Sequence, residues 1–372
     1  MKILCLIDNL GSGGAQRQLV TLGVLFKKAR HDVRFLTYGA ADFFVGQLQE
    51  HGIPVQCVCE PKPLHRIIKI RKALQRGDQD AVLSFLNIPN LLAELSAIPK
   101  RKWGLVVSER SANLAGIKSN SGQIIRQFHK FADFVVTNSE ANRSILANNY
   151  PKLRTKLRTI YNTVDFDTFH PSSGYVIRAE RRTRIVVAAS YQYLKNTKGL
   201  VDAVSLLEPT EQDRILIEWY GQKEVVKGDT RAYDEAVSLL AANKLTGCVK
   251  LCGSVSDIAT KIKSSDAVGL FSFYEGLPNA ICEAMACRKP VIMSNVSDAS
   301  ILVDQDINGY LCDPHDPRSI ADALQQVICA SDSALAEMGN SSLTKARELF
   351  NTESVVGQYL DLLQTAHTLH SR

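Results

Sequence analysis

The stretch LFSFYEGLPNAICEAMACRKP, residues 270–290, carries the clearest indication of the fold of this chain. The apolar run over 268–274 has the length and composition of a buried strand, and residues 279–287 are rich in helix formers. The turn Glu275-Gly276-Leu277-Pro278 lies between them. A strand, a glycine turn and a helix N-terminus direct free backbone N–H groups and the positive end of the helix dipole at an anion.

Two carboxylates frame this turn, Glu275 before it and Glu283 one turn into the helix. Acidic groups beside an anion site would repel a bare phosphate, whereas carboxylates accept hydrogen bonds from hydroxyl groups. A phosphate that carries sugars on both sides fits both features, and a nucleotide sugar is such a compound. The alternative is an ordinary helix whose glutamates are solvated.

The Glu-x7-Glu spacing, with GLPNA inside it and AMA behind it, resembles the donor site of retaining family-4 glycosyltransferases of GT-B fold. The resemblance implies that Glu275 lies against hydroxyls of the transferred sugar and that Glu283 binds the ribose diol. It also implies a backbone site for the diphosphate, formed by Gly276, Leu277, Pro278 and Asn279. The chain departs from the family at Arg288, where glycine is common.

Length and composition suit a globular protein of two domains. The chain has 372 residues, of which 45% are apolar and 22% charged, and this is too long for one ordinary core. No apolar run approaches the roughly 20 residues that span a bilayer. Met1-Lys2 leads directly into a strand, so we expect no signal peptide. The nine Cys, including Cys57 and Cys59, lack zinc spacing and are interpreted as reduced thiols of a cytosolic protein.

Charge is distributed unequally along the chain. Residues 1–170 contain 24 Lys and Arg against 13 Asp and Glu, whereas the rest of the chain contains 20 against 25. Nucleic acid is not expected as a partner, because aromatic residues are not interleaved with the basic ones and no recognition motif occurs. The asymmetry favours an anionic membrane surface or an anionic acceptor for the amino-terminal half.

Two basic clusters are candidates for the membrane contact. The first comprises residues 100–102, and the second comprises Lys118, Arg126 and Lys130, which occur among apolar residues at near-helical spacing. A basic amphipathic segment can lie on a membrane surface. Such an apolar stripe is more often the core face of a helix, so both interpretations stay open.

The amino terminus repeats the pattern of strand, turn and helix. An apolar strand over 2–7 leads into Gly11-Ser12-Gly13-Gly14 and then into a helix over 15–28, and such a turn is typical of phosphate binding. The spacing does not match a dinucleotide fingerprint. It resembles the family's GG-x-E loop, with Gln16 in place of Glu, which implies that Gly13 and Gly14 approach the donor. A plain helix-capping loop is the alternative.

The rest of the chain alternates strands and helices as doubly wound domains do. We predict further strands over 32–38, 54–58, 81–85, 104–108, 134–137, 157–160, 184–190, 214–219 and 248–252. We predict helices over 44–51, 64–75, 90–98, 122–131, 140–149, 316–329, 335–350 and 353–369, and one that begins near Thr197.

Two strand ends in the first half carry candidate acceptor-side residues. Asn87 follows the strand over 81–85, and Glu109 and Arg110 follow the strand over 104–108. Many relatives have a His near Arg110 that touches the transferred sugar, so here that contact differs or passes to Arg110. An arginine can hold a phosphate bidentately. A salt bridge between Arg110 and Glu109 or another acid is the alternative.

The loop after the strand over 184–190 resembles a second part of the donor site. The family has Arg and Lys five residues apart there, both on the donor diphosphate. Lys195 matches the lysine, Ser190 stands at the arginine position, and Lys198 is a second candidate. Farther along, Gly253 and Val255 resemble the loop that holds the nucleotide base.

The fold class implied is α/β with GT-B architecture: two Rossmann-like domains facing across a deep cleft, with a C-terminal helix that crosses back to the first domain. We expect an acceptor-binding domain over 1–164, a linker over 165–183, a nucleotide-sugar-binding domain over 184–350 and the returning helix over 351–372.

The resemblance implies a retaining hexosyltransferase that binds no metal, requires no cofactor and uses a UDP-sugar as co-substrate. It would move a hexose or N-acetylhexosamine to a hydroxyl of a polyprenyl-diphosphate-linked saccharide, in cell-surface polysaccharide or glycan assembly. The expected location is cytoplasmic, peripheral at the inner face of the cell membrane. The catalytic candidates are Glu275, Lys195 and Arg110. A soluble small acceptor, a GT-B nucleotide-sugar epimerase and an inactive nucleotide-sugar binder are the alternatives.

Overall fold

The computed structural model describes residues 1–110, 116–117, 119–172, 182–224 and 228–371. The predictions made for Lys118 and for part of the linker, residues 173–181, lie outside these residues. The chain forms two compact units, one of Met1–Thr163 with Thr352–Arg372 and the other of Val164–Asn351. Within the residues just given, no helix combines the length and the apolar composition needed to cross a membrane.

The first unit is built on a parallel sheet of seven strands. In chain order, β1 to β7 span Lys2–Leu6, Asp32–Thr37, Val55–Cys57, Ala81–Phe85, Gly104–Glu109, Phe134–Thr137 and Leu157–Thr159. Their order in the sheet is β3-β2-β1-β4-β5-β6-β7. Every residue of β4 and β5 is buried, as expected of central parallel strands that are covered on both faces.

Helices connect these strands. In chain order, α1 to α6 span Gly14–Lys28, Val45–Glu50, Pro63–Arg76, Asn87–Ser96, Asn120–Gln127 and Glu140–Asn149. The predicted helix over 90–98 begins three residues earlier, at Asn87. Pro89 is accommodated because the N–H groups of the first helical turn have no intrahelical partner to lose.

The second unit contains a parallel sheet of six strands. In chain order, β8 to β13 span Thr183–Ala188, Ile215–Tyr220, Val249–Cys252, Ala267–Leu270, Val291–Ser294 and Gly309–Cys312. Their order is β10-β9-β8-β11-β12-β13. The helices α7 to α14 span Thr197–Ser205, Pro209–Gln212, Arg231–Ala242, Ile258–Lys263, Asn279–Ala286, Ala299–Leu302, Pro317–Cys329 and Asp332–Leu349. Two parallel sheets flanked by helices confirm the predicted α/β class.

The strand predicted over 268–274 is shorter than expected, because β11 ends at Leu270. Phe271 and Ser272 are still buried, but the chain has left the sheet there. The backbone N–H of Phe273 donates to the carbonyl of Leu194 at 2.9 Å instead of to a neighbouring strand. The apolar run therefore marks burial, while the hydrogen-bonded strand covers only its first part.

The last helix, α15, spans Thr352–Thr368 and belongs to the first unit. Val355, Tyr359, Leu363 and Ala366 are buried in the core of that unit, at spacings of three or four residues that place them on one helical face. The helix also approaches the start of β5 closely. A Cβ at Gly104 would lie 2.6 Å from the backbone of Ala366, so glycine at this position allows the helix to pack against the strand.

The expectation that all nine Cys are reduced thiols is wrong at two positions. Cys57 and Cys59 form a disulfide with a Cα–Cα distance of 5.6 Å, which lies within the usual range. In extended backbone the side chains of residues i and i+2 point to the same side, and Cys57 ends β3. Cys57 and Cys59 are two residues apart, and this separation in extended backbone permits a disulfide.

Candidate functional site

The predicted donor residues follow the two strands that flank the switch point of the second sheet. From β8 the next strands in the chain are added on one side of the sheet, and from β11 they are added on the other, so the switch point lies between β8 and β11. Ligands of such sheets bind outside the carboxyl ends of the strands at the switch point. Lys195 follows β8 and Glu275 follows β11. The first sheet has its own switch point between β1 and β4, where Gly13, Gly14 and Asn87 follow the two strands.

Lys195 and Glu275 form an ion pair at the switch point of the second sheet. The ammonium nitrogen lies 2.6 Å from Glu275 Oε1, and the two side chains are 19% and 11% exposed. The hydroxyl of Ser272 donates to the same oxygen at 2.6 Å. Because a carboxylate offers about four lone-pair sites on two oxygens, Glu275 retains the capacity to accept a hydrogen bond from a sugar hydroxyl at Oε2.

Local backbone structure holds Lys195 in this position. Asn196 adopts a left-handed conformation with φ 62°, which asparagine tolerates better than most residues. Its side chain accepts a hydrogen bond from Gly199 N at 3.0 Å, and so caps α7. Its amide group donates to the carbonyl of Pro314 at 2.8 Å. Lys195 is therefore fixed immediately before the first turn of a capped helix.

The second lysine of this loop has a different surrounding. Lys198 pairs with Asp202 at 2.5 Å, one turn along α7, and its side chain is 57% exposed. Ser190, at the position where the family has arginine, accepts a hydrogen bond from Gln192 at 3.0 Å. Lys195 is thus the cation of this loop that lies beside Glu275.

The turn between β11 and α11 is anchored within the unit. The hydroxyl of Ser297 donates to the carbonyl of Gly276, Leu277 is buried, and Pro278 occupies the N-cap position of α11. Glu283, one turn into the helix, is 8% exposed. The predicted diphosphate-binding residues therefore stand at a helix N-terminus, where backbone N–H groups favour an anion.

The departure at Arg288 has a structural explanation. Arg288 adopts φ 61°, the left-handed region in which glycine meets no steric penalty. The bend that relatives form with glycine is therefore kept here, at a cost of roughly 1–2 kcal/mol for a residue with a Cβ. The neighbouring α14 also fits closely, because a Cβ at Gly339 would lie 2.4 Å from the Arg288 carbonyl oxygen.

The predicted base-binding loop follows β10. Gly253 is exposed, and Val255 is 39% exposed. Tyr191, in the loop after β8, donates a bifurcated hydrogen bond to the carbonyls of Trp219 and Cys252, at 2.9 and 2.8 Å. Burial raises the pKa of Tyr191 well above its usual range, so the hydroxyl acts as a neutral donor that ties the ends of β9 and β10 to the Lys195 loop.

In the glycine loop of the first unit, Gln16 stands where the family has Glu, and its surroundings suit an uncharged side chain. Gly13 is the N-cap residue of α1, which begins at Gly14. The amide of Gln16 donates to Asp8 Oδ1 at 3.0 Å. A glutamate at residue 16 would place a second carboxylate against Asp8, so glutamine suits this loop electrostatically.

Glu109 lies in a buried cluster of four charged residues. Its carboxylate is 2.9 Å from His129 Nε2 and 2.9 Å from Arg126, while His129 Nδ1 is 2.6 Å from Glu94. Burial alone would lower the pKa of His129, but the two carboxylates outweigh it and raise that pKa to about 9. The acceptor-side role expected for Glu109 does not fit, because the side chain is fully buried and both of its oxygens are engaged.

Arg110, the next residue, is held by neutral groups. Its guanidinium lies over the ring of Phe85 at 4.4 Å, donates to Asn162 Oδ1 and reaches Ser108 Oγ at 3.4 Å. Burial lowers the pKa of Arg110, and the nearby Tyr359 opposes this effect. The salt bridge to Glu109 considered from the sequence is replaced by these neutral contacts. Asn87, the other acceptor-side candidate, is exposed at the start of α4.

The basic clusters predicted to face a membrane are partly internal. Arg101 pairs with Asp133 at 2.7 Å, and both side chains are less than one-tenth exposed, at 8% and 9%. Arg126 is buried against Glu109. These two arginines neutralise buried carboxylates and offer no charge to a membrane, contrary to the expectation from the sequence. The lysines of both clusters that the structure describes are exposed.

Three residues of these sites were not identified from the sequence: Ser272, Tyr191 and Asn162. A serine inside the apolar run 268–274 was an available signal, because a buried hydroxyl requires a hydrogen-bond partner. Asn162 belongs to the segment Tyr161-Asn162-Thr163-Val164-Asp165, but nothing in that segment indicates a contact with Arg110. Tyr191 carries no sequence signal that distinguishes it from a core residue.

Both halves of the chain match families of known proteins. Residues 12–168 match the family described as Glycosyltransferase Family 4, and residues 182–330 match the family described as Glycosyl transferases group 1. Together the two matches span most of the chain.

Two relatives illustrate the range of acceptors. The chain is 23% identical over 376 residues to the GalNAc-alpha-(1->4)-GalNAc-alpha-(1->3)-diNAcBac-PP-undecaprenol alpha-1,4-N-acetyl-D-galactosaminyltransferase of Campylobacter jejuni, with 98% of each chain covered. It is 25% identical over 305 residues to the D-inositol 3-phosphate glycosyltransferase of a Nocardioides species. That match covers 74% of this chain and 66% of the relative, just under two thirds of the relative's length.

A solved structure has the same fold. The Anabaena protein HepE in complex with UDP-glucose is similar with a TM-score of 0.85 and 20% sequence identity, and the match covers 98% of this chain and 100% of that chain. The likeness confirms the GT-B fold predicted from the sequence. With both family matches in place, the chain belongs to the GT-B glycosyltransferases of the family-4 type.

Proposed function

We propose that this protein is a retaining glycosyltransferase that moves a hexose or N-acetylhexosamine from a UDP-sugar to a hydroxyl of a lipid-linked saccharide. The observation that carries the proposal is the pair of Lys195 and Glu275 at the switch point of the second sheet, 2.6 Å apart. A cation for the diphosphate and a carboxylate for the sugar thus occur together beside the N-terminus of α11, where a nucleotide sugar needs both.

The donor chemistry divides between these groups. Transfer breaks the bond between the anomeric carbon and the diphosphate oxygen, and forms a bond from that carbon to the acceptor oxygen. Negative charge develops on the leaving diphosphate, where Lys195 and the amides following Gly276 stabilise it. Glu275 positions the sugar through its hydroxyls. The resemblance implies that the leaving phosphate takes the acceptor proton, so the proposed reaction requires no metal ion and no separate cofactor.

The acceptor is proposed from three observations. The Campylobacter relative, whose name includes an undecaprenol-linked diphosphate saccharide, matches this chain over nearly its full length. Arg110 presents a guanidinium held by neutral partners near the end of β5, and guanidinium groups bind phosphates. The first half of the chain is basic. We therefore place the protein in the cytoplasm, at the inner face of the cell membrane.

A soluble acceptor is the second candidate function. The Nocardioides relative is named for D-inositol 3-phosphate, a small phosphorylated acceptor, and Arg110 would suit such a phosphate equally well. An epimerase would release free UDP with a rearranged sugar and no glycoside. An inactive binder would retain UDP-sugar affinity without consuming it.

One experiment separates these functions. The protein is incubated with each of a panel of UDP-sugars, together with a polyprenyl-diphosphate disaccharide in detergent or with inositol 3-phosphate, with and without EDTA. We expect UDP release that depends on the lipid-linked acceptor, persists in EDTA and yields a glycoside with the donor's α configuration by NMR. A β-glycoside would refute the retaining mechanism. Equal turnover without the lipid-linked acceptor would refute that acceptor.

A further inference from the structure

Helix α3 carries more Lys and Arg residues than any other helix that the structure describes in the first unit. Its sequence, PLHRIIKIRKALQR over Pro63–Arg76, contains five Lys and Arg residues and no Asp or Glu. A helix that carries cations without compensating acids on its own surface attracts an anionic partner. The sequence predicts only a helix over 64–75 at this place, because the apolar spacing is that of an ordinary core-facing helix.

One face of α3 is fixed to the protein. Ile70 and Leu74 are fully buried. Arg71 points inward as well, since its guanidinium donates to the carbonyl of Leu95 at 2.8 Å and to the carbonyl of Ile98. Arg71 therefore binds the C-terminal end of α4, and the helix cannot rotate without breaking these contacts.

The opposite face of α3 exposes aliphatic side chains. Leu64 is 74% exposed and Ile68 is 60% exposed. They are four residues apart, so they lie one above the other on the same face, and the exposed Lys72 continues the row one turn farther. Leu64 lies in the first turn of α3, which follows β3. Helices that follow parallel strands begin at the carboxyl ends of those strands, so Leu64 lies on the same side of the sheet as Asn87 and Arg110.

A cationic pocket adjoins this row. An open pocket of about 550 Å³ lies between α3 and the Cys57–Cys59 segment, and Lys69, Lys72 and Arg76 line it. Lys69 is paired with Glu60 at 2.7 Å, so Lys72 and Arg76 supply the charge for a ligand. The pocket is large enough for a phosphate group and the polar atoms attached to it.

We infer that α3 docks the first unit on a bilayer that contains anionic lipids, with Leu64 and Ile68 among the headgroups and Lys72 and Arg76 against lipid phosphates. Exposed aliphatic side chains beside cations fit a lipid surface, which supplies apolar chains and negative charge together. Two aliphatic side chains give only weak insertion, so attachment is reversible and sensitive to salt. The inference rests on the proposed function, because a lipid-linked acceptor requires an enzyme at the membrane surface.

Vesicle sedimentation tests this surface. The full chain is mixed at 50 mM and 500 mM NaCl with vesicles of phosphatidylcholine, or of phosphatidylcholine with phosphatidylglycerol in equal amounts. Four forms are compared: wild type, Leu64→Ser/Ile68→Ser, Lys72→Ser/Arg76→Ser, and the matched control Lys100→Ser/Lys102→Ser. The control removes the same charge from exposed lysines of the cluster predicted from sequence.

The expected result is binding of the wild type to phosphatidylglycerol vesicles at low salt. Each α3 variant should lose at least fivefold in bound fraction, while the control stays within twofold of the wild type. Equal binding of the α3 variants and the wild type would overturn the inference, as would equal binding to both lipid mixtures. A wild type that forms dimers in solution, with α3 variants that are monomers, would also overturn it by showing an interface between copies.

Failure of this inference is distinguishable from failure of the proposed function. UDP affinity should be the same in all four forms, because the substitutions lie outside the second unit, and this measurement also shows that each variant is folded. If the protein uses the lipid-linked acceptor in detergent but ignores vesicles, the α3 surface is refuted and the function stands. If α3 binds vesicles while only a soluble acceptor is glycosylated, the α3 surface stands and the acceptor is refuted.

Discussion

Lys195 Nζ and Glu275 Oε1 lie 2.6 Å apart, although the two residues belong to loops that follow different strands. Each group neutralises the other in this arrangement, and each is also proposed to contact a different part of the donor. In the proposed donor complex, the diphosphate would compete with Glu275 for the ammonium group of Lys195. The carboxylate would then be released toward the sugar, and the two proposed contacts with the donor would be coupled through this ion pair.

Glu275, before the turn that leads into α11, and Glu283, within α11, should therefore respond differently to substitution. Glu283→Ala should weaken UDP binding by roughly 1.5–3 kcal/mol, the usual contribution of a hydrogen bond to a charged group. Glu275→Ala frees Lys195 for the diphosphate, so UDP affinity should be unchanged or slightly tighter. Turnover should nevertheless fall by about 100-fold or more, because sugar positioning is lost. Calorimetric titration with UDP and steady-state rates measure the two effects.

Equal loss of UDP affinity in both variants would contradict this division of roles. Glu275→Gln is a useful companion, because the amide keeps the size of the side chain and one acceptor oxygen. It should restore part of the turnover that alanine removes, while UDP affinity stays close to that of the wild type.

The two lysines of the loop after β8 provide a matched pair. Lys195→Ala should weaken UDP binding by roughly 1.5–3 kcal/mol and leave uridine binding unchanged, since uridine lacks the diphosphate. Lys198→Ala should change neither, because Lys198 pairs with Asp202 and its side chain is 57% exposed. Titrations of both variants with UDP and with uridine decide the assignment. A larger effect of Lys198→Ala would show that the wrong lysine has been matched to the family.

Much of the fold was predictable because parallel strands are long apolar runs separated by helices. The helices α8, α9, α10 and α12 were not predicted. Of the twelve residues of α9, only Ala236 and Leu240 are buried, so its apolar pattern is too sparse to recognise. Helices α8, α10 and α12 have only four, six and four residues, so each gives little periodic signal.

The site was predictable where chemistry follows a strand end, and not where it depends on packing. Lys195 and Glu275 were assigned to one donor site from their motifs, yet their direct contact depends on how two loops pack. Glu109 shows the opposite outcome. Its place at a strand end suggested a ligand contact, whereas partners distant in sequence, His129 and Arg126, bury and neutralise it. Charge compensation of this kind has no local sequence signal.

Two glycines test the packing of α15. In Gly104→Ala the new Cβ would lie 2.6 Å from the backbone of Ala366, and such overpacking costs about 1–3 kcal/mol. Gly357 has open space around its Cβ position, so Gly357→Ala should stabilise α15 by about 0.5–1 kcal/mol. Urea unfolding of both variants measures the difference. Equal stability of the two variants would show that α15 does not pack closely against β5 in solution.

The buried cluster around His129 should make stability depend on pH. The folded-state pKa of His129 is about 9, above the value of about 6.5 expected when the chain is unfolded. The stabilising contribution is therefore complete below about pH 6.5 and is lost as the pH rises through about 9. In that window the free energy of unfolding should fall by up to about 1.4 kcal/mol per pH unit, the slope for one proton.

Urea unfolding between pH 6.5 and 9.5 measures this slope, followed by tryptophan fluorescence, to which Trp103 contributes from the first unit and Trp219 from the second. His129→Gln should be less stable than the wild type at pH 6.5, because Glu94 and Glu109 lose the positive charge between them. The difference should shrink toward pH 9.5, where the wild-type imidazole is neutral as well. His65→Gln, at an exposed position on α3, is the control and should follow the wild-type curve. A difference between His129→Gln and the wild type that stays constant across this range would mean that His129 carries no titrating charge, and that the cluster contributes through packing alone.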